Sequence, residues 1–341
     1  MMAVSNPFSM VGAVILPLRP TDSDAMNTRD LYLDAATRDN TRQSYGSAIR
    51  HFEVEWGGFL PATADSISRY LAHYAPTLSV HTLRHRLAAL ARWHNEQGFP
   101  DPTKAPIVRQ VLRGIGAVHP VQQKQAKPMG LESIEHVAGW LDGAIAQADG
   151  AGARGTALRH RRDKALLLLG FWRGFRGDEL TRLCIEHVQA RAGEGMSCYF
   201  THTKADRTYR GSTFKVPALA RLCPVEAYLD WTSAAHLDEG PVFRAIDRWG
   251  HVSQQALRTD SLVPLLRAML ANAGMASAGL YSSHSLRRGF ATWAIANGWD
   301  LKTLMQYVGW KNVQSAMRYV DVAAPFADLR LPSAPIKDED A

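Results

Sequence analysis

Between residues 36 and 116 the apolar side chains fall into four groups at helical spacing, set apart by polar stretches. Tyr45, Ala48, Ile49, Phe52 and Trp56 form the first stripe, and Ile67, Tyr70, Leu71 and Tyr74 the second. Val80, Leu83, Leu87 and Leu90 make the third; Ile107, Val108, Val111, Leu112 and Ile115 make the fourth. The spacing predicts four amphipathic helices packed on one another. Their polar positions are repeatedly basic: Arg42 and Arg50, then Arg84, His85, Arg86 and Arg92, then Arg109 and Arg113. On one helix such charge is an ordinary solvated face. Four helices sharing one sign predict a surface that follows phosphates.

Periodicity disappears over residues 117–130, "AVHPVQQKQAKPMG", which reads as a linker. Beyond it the pattern predicts a helix from Leu131 to about Ala148, a small-residue loop and the apolar helix "RDKALLLLGFWRG". "MSCYFTHTK" alternates, "ADRTYRGS" turns and "TFKVP" returns, which predicts a β-hairpin, and helices follow from Ala218 to the end. In the last of them, "VGWKNVQSAMRYVD", Val313, Ala316, Met317 and Val320 form the expected buried stripe, and Tyr319 stands off it. The expected organisation is a tail over 1–35, a helical domain over 36–116, the linker, a second domain over 131–323, and a tail over 324–341. That tail carries a short helix starting at Pro325 with Phe326, Leu329 and Leu331 on its apolar side. The fold class is mainly α with a small antiparallel β-sheet.

The chain has 341 residues, room for two domains, and a net charge of +7 that favours an anionic partner, nucleic acid ahead of membrane. Its three cysteines, Cys184, Cys198 and Cys223, have no C-x-x-C spacing and read as packing thiols of a reducing compartment. The apolar stretch "MVGAVILPLRP" contains Pro17 and is too short to span a bilayer, so the expected location is cytoplasmic and nucleoid-associated, with no membrane contact. Two motifs mislead. "GAGARG" at 150–155 has the letters of a dinucleotide loop but follows a helix end rather than a strand. "HTLRH" puts His81 and His85 on one helix face, yet arginines crowd them, so a phosphate or base contact fits better than a metal. No metal-ligand cluster is visible, and no cofactor is expected.

Three stretches carry candidate chemistry. In "HSLRRGFATWAIANG" His284 and Arg287 are three residues apart near a helix start that Ser282 or Ser283 can cap. In "GFWRGFRGDELTRLC" a helix restarts at Asp178 with Arg176 just before it, and Glu179 is placed to hold that guanidinium. Two arginines and a histidine at helix N-termini make a cradle for one phosphate, because arginine offers paired donors and keeps its charge. The third stretch is the last helix, with its off-stripe Tyr319.

"RGDEL", "HSLR" and "GWKNVQSAMRY", in that order and at these separations, resemble the tyrosine site-specific recombinases, or phage-type integrases. The resemblance spans roughly residues 36–325, as a four-helix core-binding domain joined to an α+β catalytic domain. Most members have histidine where this chain has Trp310. The resemblance implies that Tyr319 attacks the scissile phosphate of double-stranded DNA, leaving a 3′-phosphotyrosyl linkage and a 5′-hydroxyl. It implies further that Arg176 and Arg287 hold the non-bridging oxygens, His284 assists proton handling and Trp310 donates its indole N–H. A hairpin lysine protonates the leaving oxygen; Lys204 fits, and Lys215 on the returning strand is the alternative. Glu179 takes a supporting role, and Arg42, Arg50, His81, Arg84, His85 and Arg86 are the expected DNA contacts. Four protomers on two paired sites would exchange strands through a Holliday junction, without ATP or metal. A type IB topoisomerase-like or hairpin-forming resolvase, or a silent DNA-binding protein of the same fold, is the alternative.

Overall fold

A computed structural model of the chain describes residues 28, 31–32, 39–120, 126–201, 203, 210–314 and 316–317. Tyr319, Lys204, Val320, the tail at 324–341 and, apart from exposed Thr28, Leu31 and Tyr32, the tail at 1–35 lie outside the described residues. The chain divides into two compact units, Met1–Gln123 and Lys124–Ala341.

Helices α1 (Asp39–Arg50), α2 (Ala64–Tyr74), α3 (Val80–Glu96) and α4 (Pro106–Val118) build the first unit. Their starts follow from local chemistry. The Thr63 hydroxyl accepts the Ser66 N–H at 3.1 Å, Ser79 does the same for Thr82 at 3.1 Å, and Pro106 occupies the first turn of α4, where a missing N–H costs nothing. Phe52, Ile67, Tyr70, Leu71, Leu83, Leu87, Leu90, Val108 and Ile115 form the core, so the predicted stripes do face inward. Ile107 is the exception and is exposed, because it sits in the first turn of α4, on the shoulder of a stripe centred on Val108 and Ile115.

A five-residue π segment, His51–Glu55, continues α1 and turns His51 into the core. There His51 Nδ1 accepts from Tyr70 Oη at 3.0 Å, and that oxygen accepts from Arg86 Nη1 at 2.9 Å. Burial and the nearby Arg86 charge hold the His51 pKa below its ordinary value of 6.5.

The second unit is centred on α6 (Arg154–Trp172), whose stretch from Ala165 to Trp172 is buried all round. Helices α5 (Leu131–Gly150), α8 (Pro224–Ala234) and α10 (Ser283–Ala296) pack against α6, with the short α7 (Gly177–Thr181), α9 (Leu262–Asn272) and α11 (Leu301–Val308) nearby. "GAGARG" runs from the end of α5 into α6, with helix on both sides. Strands β1 (Val188–Arg191), β2 (Gly195–Phe200) and β3 (Ser212–Val216) form an antiparallel sheet in that order, with Cys198 opposite both Val188 and Phe214. All three cysteines are free, and burial pushes the Cys198 thiol up to about 12.

A second hairpin, β4 (Arg244–Ile246) and β5 (Val252–Ala256), replaces the uninterrupted helices expected after Ala218. Its strands are short and largely polar, and they depend on side-chain bonds that spacing does not reveal. Buried Arg244 donates to Gln254 at 2.9 Å and to the carbonyls of Pro241 and Glu239, while Asp247 Oδ1 accepts the N–H groups of Trp249 and His251 across the turn. The last helix also departs from the expected pattern. Ala316 is buried, but Val313 and Met317 are exposed at 52% and 42%, so the expected buried stripe is not formed among the described residues. Helical spacing defines an apolar face; it does not supply a surface to cover it.

Candidate active site

Arg176 is the residue before α7, in extended conformation, and Glu179 lies in that helix's first turn. The Glu179 carboxylate reaches back twice: Oε2 accepts the Arg176 backbone N–H at 2.8 Å, and Oε1 accepts from Arg176 Nη1 at 2.6 Å. Glu179 is buried, whereas the Arg176 side chain keeps about a fifth of its surface open. The same carboxylate is 3.9 Å from Arg287 Nη1, so one acid stands between two guanidiniums that are distant in sequence.

Arg287 is 3% exposed, in the second turn of α10, and burial on that scale demands partners for its donors. Nη1 donates to the Gly174 carbonyl at 2.5 Å and Nη2 to the Val308 carbonyl at 3.2 Å. The Trp310 ring covers it with centroid 5.1 Å from Cζ, and Trp310 is itself buried. Gly309 makes this possible: its left-handed φ of 73° ends α11 and turns the chain so that Trp310 N–H bonds the Met305 carbonyl at 2.8 Å. His284, one turn before Arg287, is exposed at the start of α10, where Ser282 Oγ accepts its backbone N–H at 3.3 Å.

The chain just after residue 125 also holds α10 in place. The Met129 N–H bonds the Ser285 carbonyl at 3.1 Å, and a Cβ on Gly289 would lie 1.8 Å from the Met129 carbonyl oxygen, so only glycine admits this crossing. Met129 is thus pinned against the helix that carries His284 and Arg287.

Arg176, Glu179, Arg287 and Trp310 therefore form one cluster, with His284 on the same helix as Arg287. Two guanidiniums against one carboxylate leave positive charge facing outward from Arg176, which suits an anion. Tyr319 and Lys204 lie outside the described residues. Lys215 is exposed on the face of β3 opposite to Phe214 and Val216, the residues that face the core. Two tyrosines near the cluster are engaged elsewhere: Tyr307 Oη donates to the Trp172 carbonyl at 2.8 Å, and Tyr281 is buried with Lys127 over its ring. Among the described residues no cluster of His, Cys, Asp and Glu could hold a metal ion, and no helix is long and apolar enough to cross a membrane.

In the first unit Arg42, Arg50, His81, Arg84 and His85 are exposed. His85 Nε2 pairs with Ser44 Oγ at 3.1 Å and its ring stands edge-on to Tyr45. Arg86 differs, being half-buried through its bond to Tyr70 and lying over the Tyr74 ring. The carbonyls of Gly174 and Val308, and the neighbouring Arg173, went unrecognised in the sequence. The available signal was a lone arginine at the end of the run "LLLLGFWRGF".

A mainly helical chain with a small antiparallel sheet and a paired-arginine cradle is in keeping with a DNA strand transferase of the tyrosine recombinase class, which the family match shows it to be. The chain belongs to the phage integrase family, whose pattern matches residues 155–325. An integrase/recombinase xerD homolog of Selenomonas ruminantium is 28% identical over 309 residues, covering 88% of this chain and 86% of that protein. Tyrosine recombinase XerD of Brucella suis biovar 1 is 28% identical over 201 residues, 58% of this chain and 61% of its own. In fold, the chain is similar to the XerH site-specific recombinase in its post-cleavage complex with palindromic difH substrate (TM-score 0.57, 16% identity, 83% of this chain and 79% of that one). The Tn1549 transposon integrase bound to transposon right-end DNA is likewise similar (TM-score 0.54, 12% identity, 86% and 93%). The expected likeness of the interval from Trp310 to Tyr319 to Cre recombinase in particular is not singled out by these relatives.

Proposed function

We propose that this chain recombines specific DNA sites through a 3′-phosphotyrosyl intermediate and a Holliday junction, as four protomers on two paired sites. The observation that carries the reading is the Glu179 carboxylate held between Arg176 and Arg287, which keeps two guanidiniums together before any DNA binds. A phenol has an ordinary pKa of about 10 and attacks poorly near neutral pH. Fixed cations at the non-bridging oxygens offset that weakness by stabilising the charge that grows in the transition state.

In this mechanism Tyr319 Oη forms a bond to phosphorus as the bond to the 5′ oxygen breaks. The phenol proton leaves with His284 positioned to assist, Lys204 supplies a proton to the departing 5′ oxygen, and Trp310 packs Arg287 and donates its N–H. Attack by a partner strand's 5′-hydroxyl reverses these steps. The phosphodiester energy is retained in the covalent linkage, so neither nucleotide hydrolysis nor a metal is required. Arg42, Arg50, His81, Arg84 and His85 contact the duplex from the first unit, and Arg86 acts there by supporting Tyr70. The two units are joined by the linker expected over 117–130, whose first two residues close α4 and whose Met129 is buried in the second unit's core, and residues 324–341 tie one protomer to the next.

A nicked suicide duplex carrying the target site, incubated in excess chelator, tests this. The wild-type protein is expected to leave a covalent adduct on a denaturing gel, and Tyr319→Phe to bind the site and leave none. Adduct from the variant would move the nucleophile elsewhere. Absence of adduct from a wild-type protein that binds would favour the silent reading, and relaxed circles without recombinants would favour the topoisomerase-like one.

A further inference from the structure

We propose that Arg173 is a positioning residue for strand transfer: its guanidinium, held between the rings of Tyr307 and Phe214, fixes the two backbone carbonyls that aim Arg287. Those acceptors, Gly174 and Val308, come from segments far apart in the chain. Arg173 immediately precedes the first and Tyr307 immediately precedes the second. Arg173 Cζ lies 4.4 Å from the Tyr307 ring centroid and 4.5 Å from that of Phe214 on β3. The Tyr307 hydroxyl returns the contact by donating to the Trp172 carbonyl at 2.8 Å. Residues 172–174 are thereby tied to 307–308 twice, once through the Arg173 cation on the Tyr307 ring and once through a hydrogen bond, with Phe214 as a third support. A shift between the two segments would pull the carbonyls apart and rotate the Arg287 fork.

The placement is costly, which argues against simple space-filling. Arg173 is 4% exposed, and its Nε is buried with no hydrogen-bond partner among the described residues. Burial lowers its pKa to about 10, still high enough to keep the charge near neutral pH. A methionine would fill a similar volume between the rings without desolvating an ion, and such exchanges are often neutral or stabilising. An arginine there loses that stability and supplies a flat, charged plate against both rings.

The inference rests on the reading of Arg287 as the cation that balances the scissile phosphate, and the test separates the two. Cleavage of a suicide substrate is compared with cleavage of the same DNA carrying a methylphosphonate at the scissile position, where an uncharged methyl replaces one non-bridging oxygen and the demand for an aimed cation falls. On the ordinary phosphodiester Arg173→Met is expected to cleave about 10- to 100-fold more slowly than wild type, the scale of a misplacement near 1 Å, with site binding and melting temperature retained. On the methylphosphonate that gap is expected to close largely, and Arg173→Lys, which keeps a cation between the rings, is expected to fall between the two on the phosphodiester. An equal loss on both substrates would mean a structural role only and would overturn the proposal, as would a wild-type rate for Arg173→Met. Should the methionine variant not fold, Arg173→Lys carries the same comparison. Arg287→Ala is run alongside. If its deficit narrows on the methylphosphonate and that of Arg173→Met does not, Arg173 alone is misassigned; if neither narrows, the reading of Arg287 fails and the proposal with it.

Discussion

Arginine is held in two different ways in the two units. In the first, Arg42, Arg50 and Arg84 are exposed on helices whose inner faces make the core, so their charges lie in solvent. In the second, Arg287 is buried with each arm assigned to a named carbonyl, and Arg176 is gripped by a buried carboxylate. An exposed cation contributes through counterion release, in small increments that barely depend on its geometry. A preorganised one contributes through direction, and its loss cannot be replaced by charge nearby. On the proposed function, position in the fold, rather than residue type, separates binding strength from chemistry.

The same conservative exchange should therefore have opposite consequences. Arg287→Lys keeps the charge and loses the fork to Gly174 and Val308, so cleavage is expected to fall by about 100-fold or more in a single-turnover assay, while site affinity holds. Arg84→Lys, by contrast, is expected to leave both affinity and cleavage close to wild type. Equal sensitivity at the two positions would break the distinction.

Next in size is Glu179→Gln, which keeps an oxygen for the Arg176 N–H but removes the charge shared by two guanidiniums. It is expected to cost about 1.5–3 kcal/mol of stability, read by urea unfolding of the full chain, and to slow cleavage more than binding. Arg84→Ala should flatten the dependence of log affinity on log salt by about 0.9 if it neutralises one phosphate, with no change in cleavage of pre-bound DNA. An unchanged slope would move the DNA-binding face elsewhere.

The smallest effect is a pH dependence confined to the first unit. His51 is held neutral by burial and by Arg86, so its folded pKa lies below the ordinary 6.5. The unfolded chain then takes up a proton more readily than the folded one as pH falls below 6.5. Stability from this group is complete above that value and declines through the depressed folded pKa. Urea midpoints of wild type and His51→Gln should converge as pH is lowered from 7.5 toward 5; parallel curves would dissociate His51 from the effect.

Most helices were legible because apolar residues three and four apart must share a face, and Phe52, Leu71, Leu83 and Val108 do meet in a core. The site boxes were legible for a similar local reason, since an arginine followed three residues later by glutamate at a helix start can close on itself, as Arg176 and Glu179 do. The β4–β5 hairpin was not, because its short strands depend on Arg244 reaching Gln254 and distant carbonyls. Nor was the exposure of Val313 and Met317, which depends on whether another element arrives to cover them.

Helical periods, the excess of positive charge and the order of residues that marks the family are all written along the chain. These are properties of neighbours within a turn or of composition, and they survive any arrangement of the rest. Folding in three dimensions was needed for Gly174 and Val308 to share one guanidinium, for Met129 to cross α10 at Gly289, and for Arg173 to meet the rings of Tyr307 and Phe214. Each joins segments tens to more than a hundred residues apart through backbone atoms or ring faces, which carry no mark in a string of side-chain types.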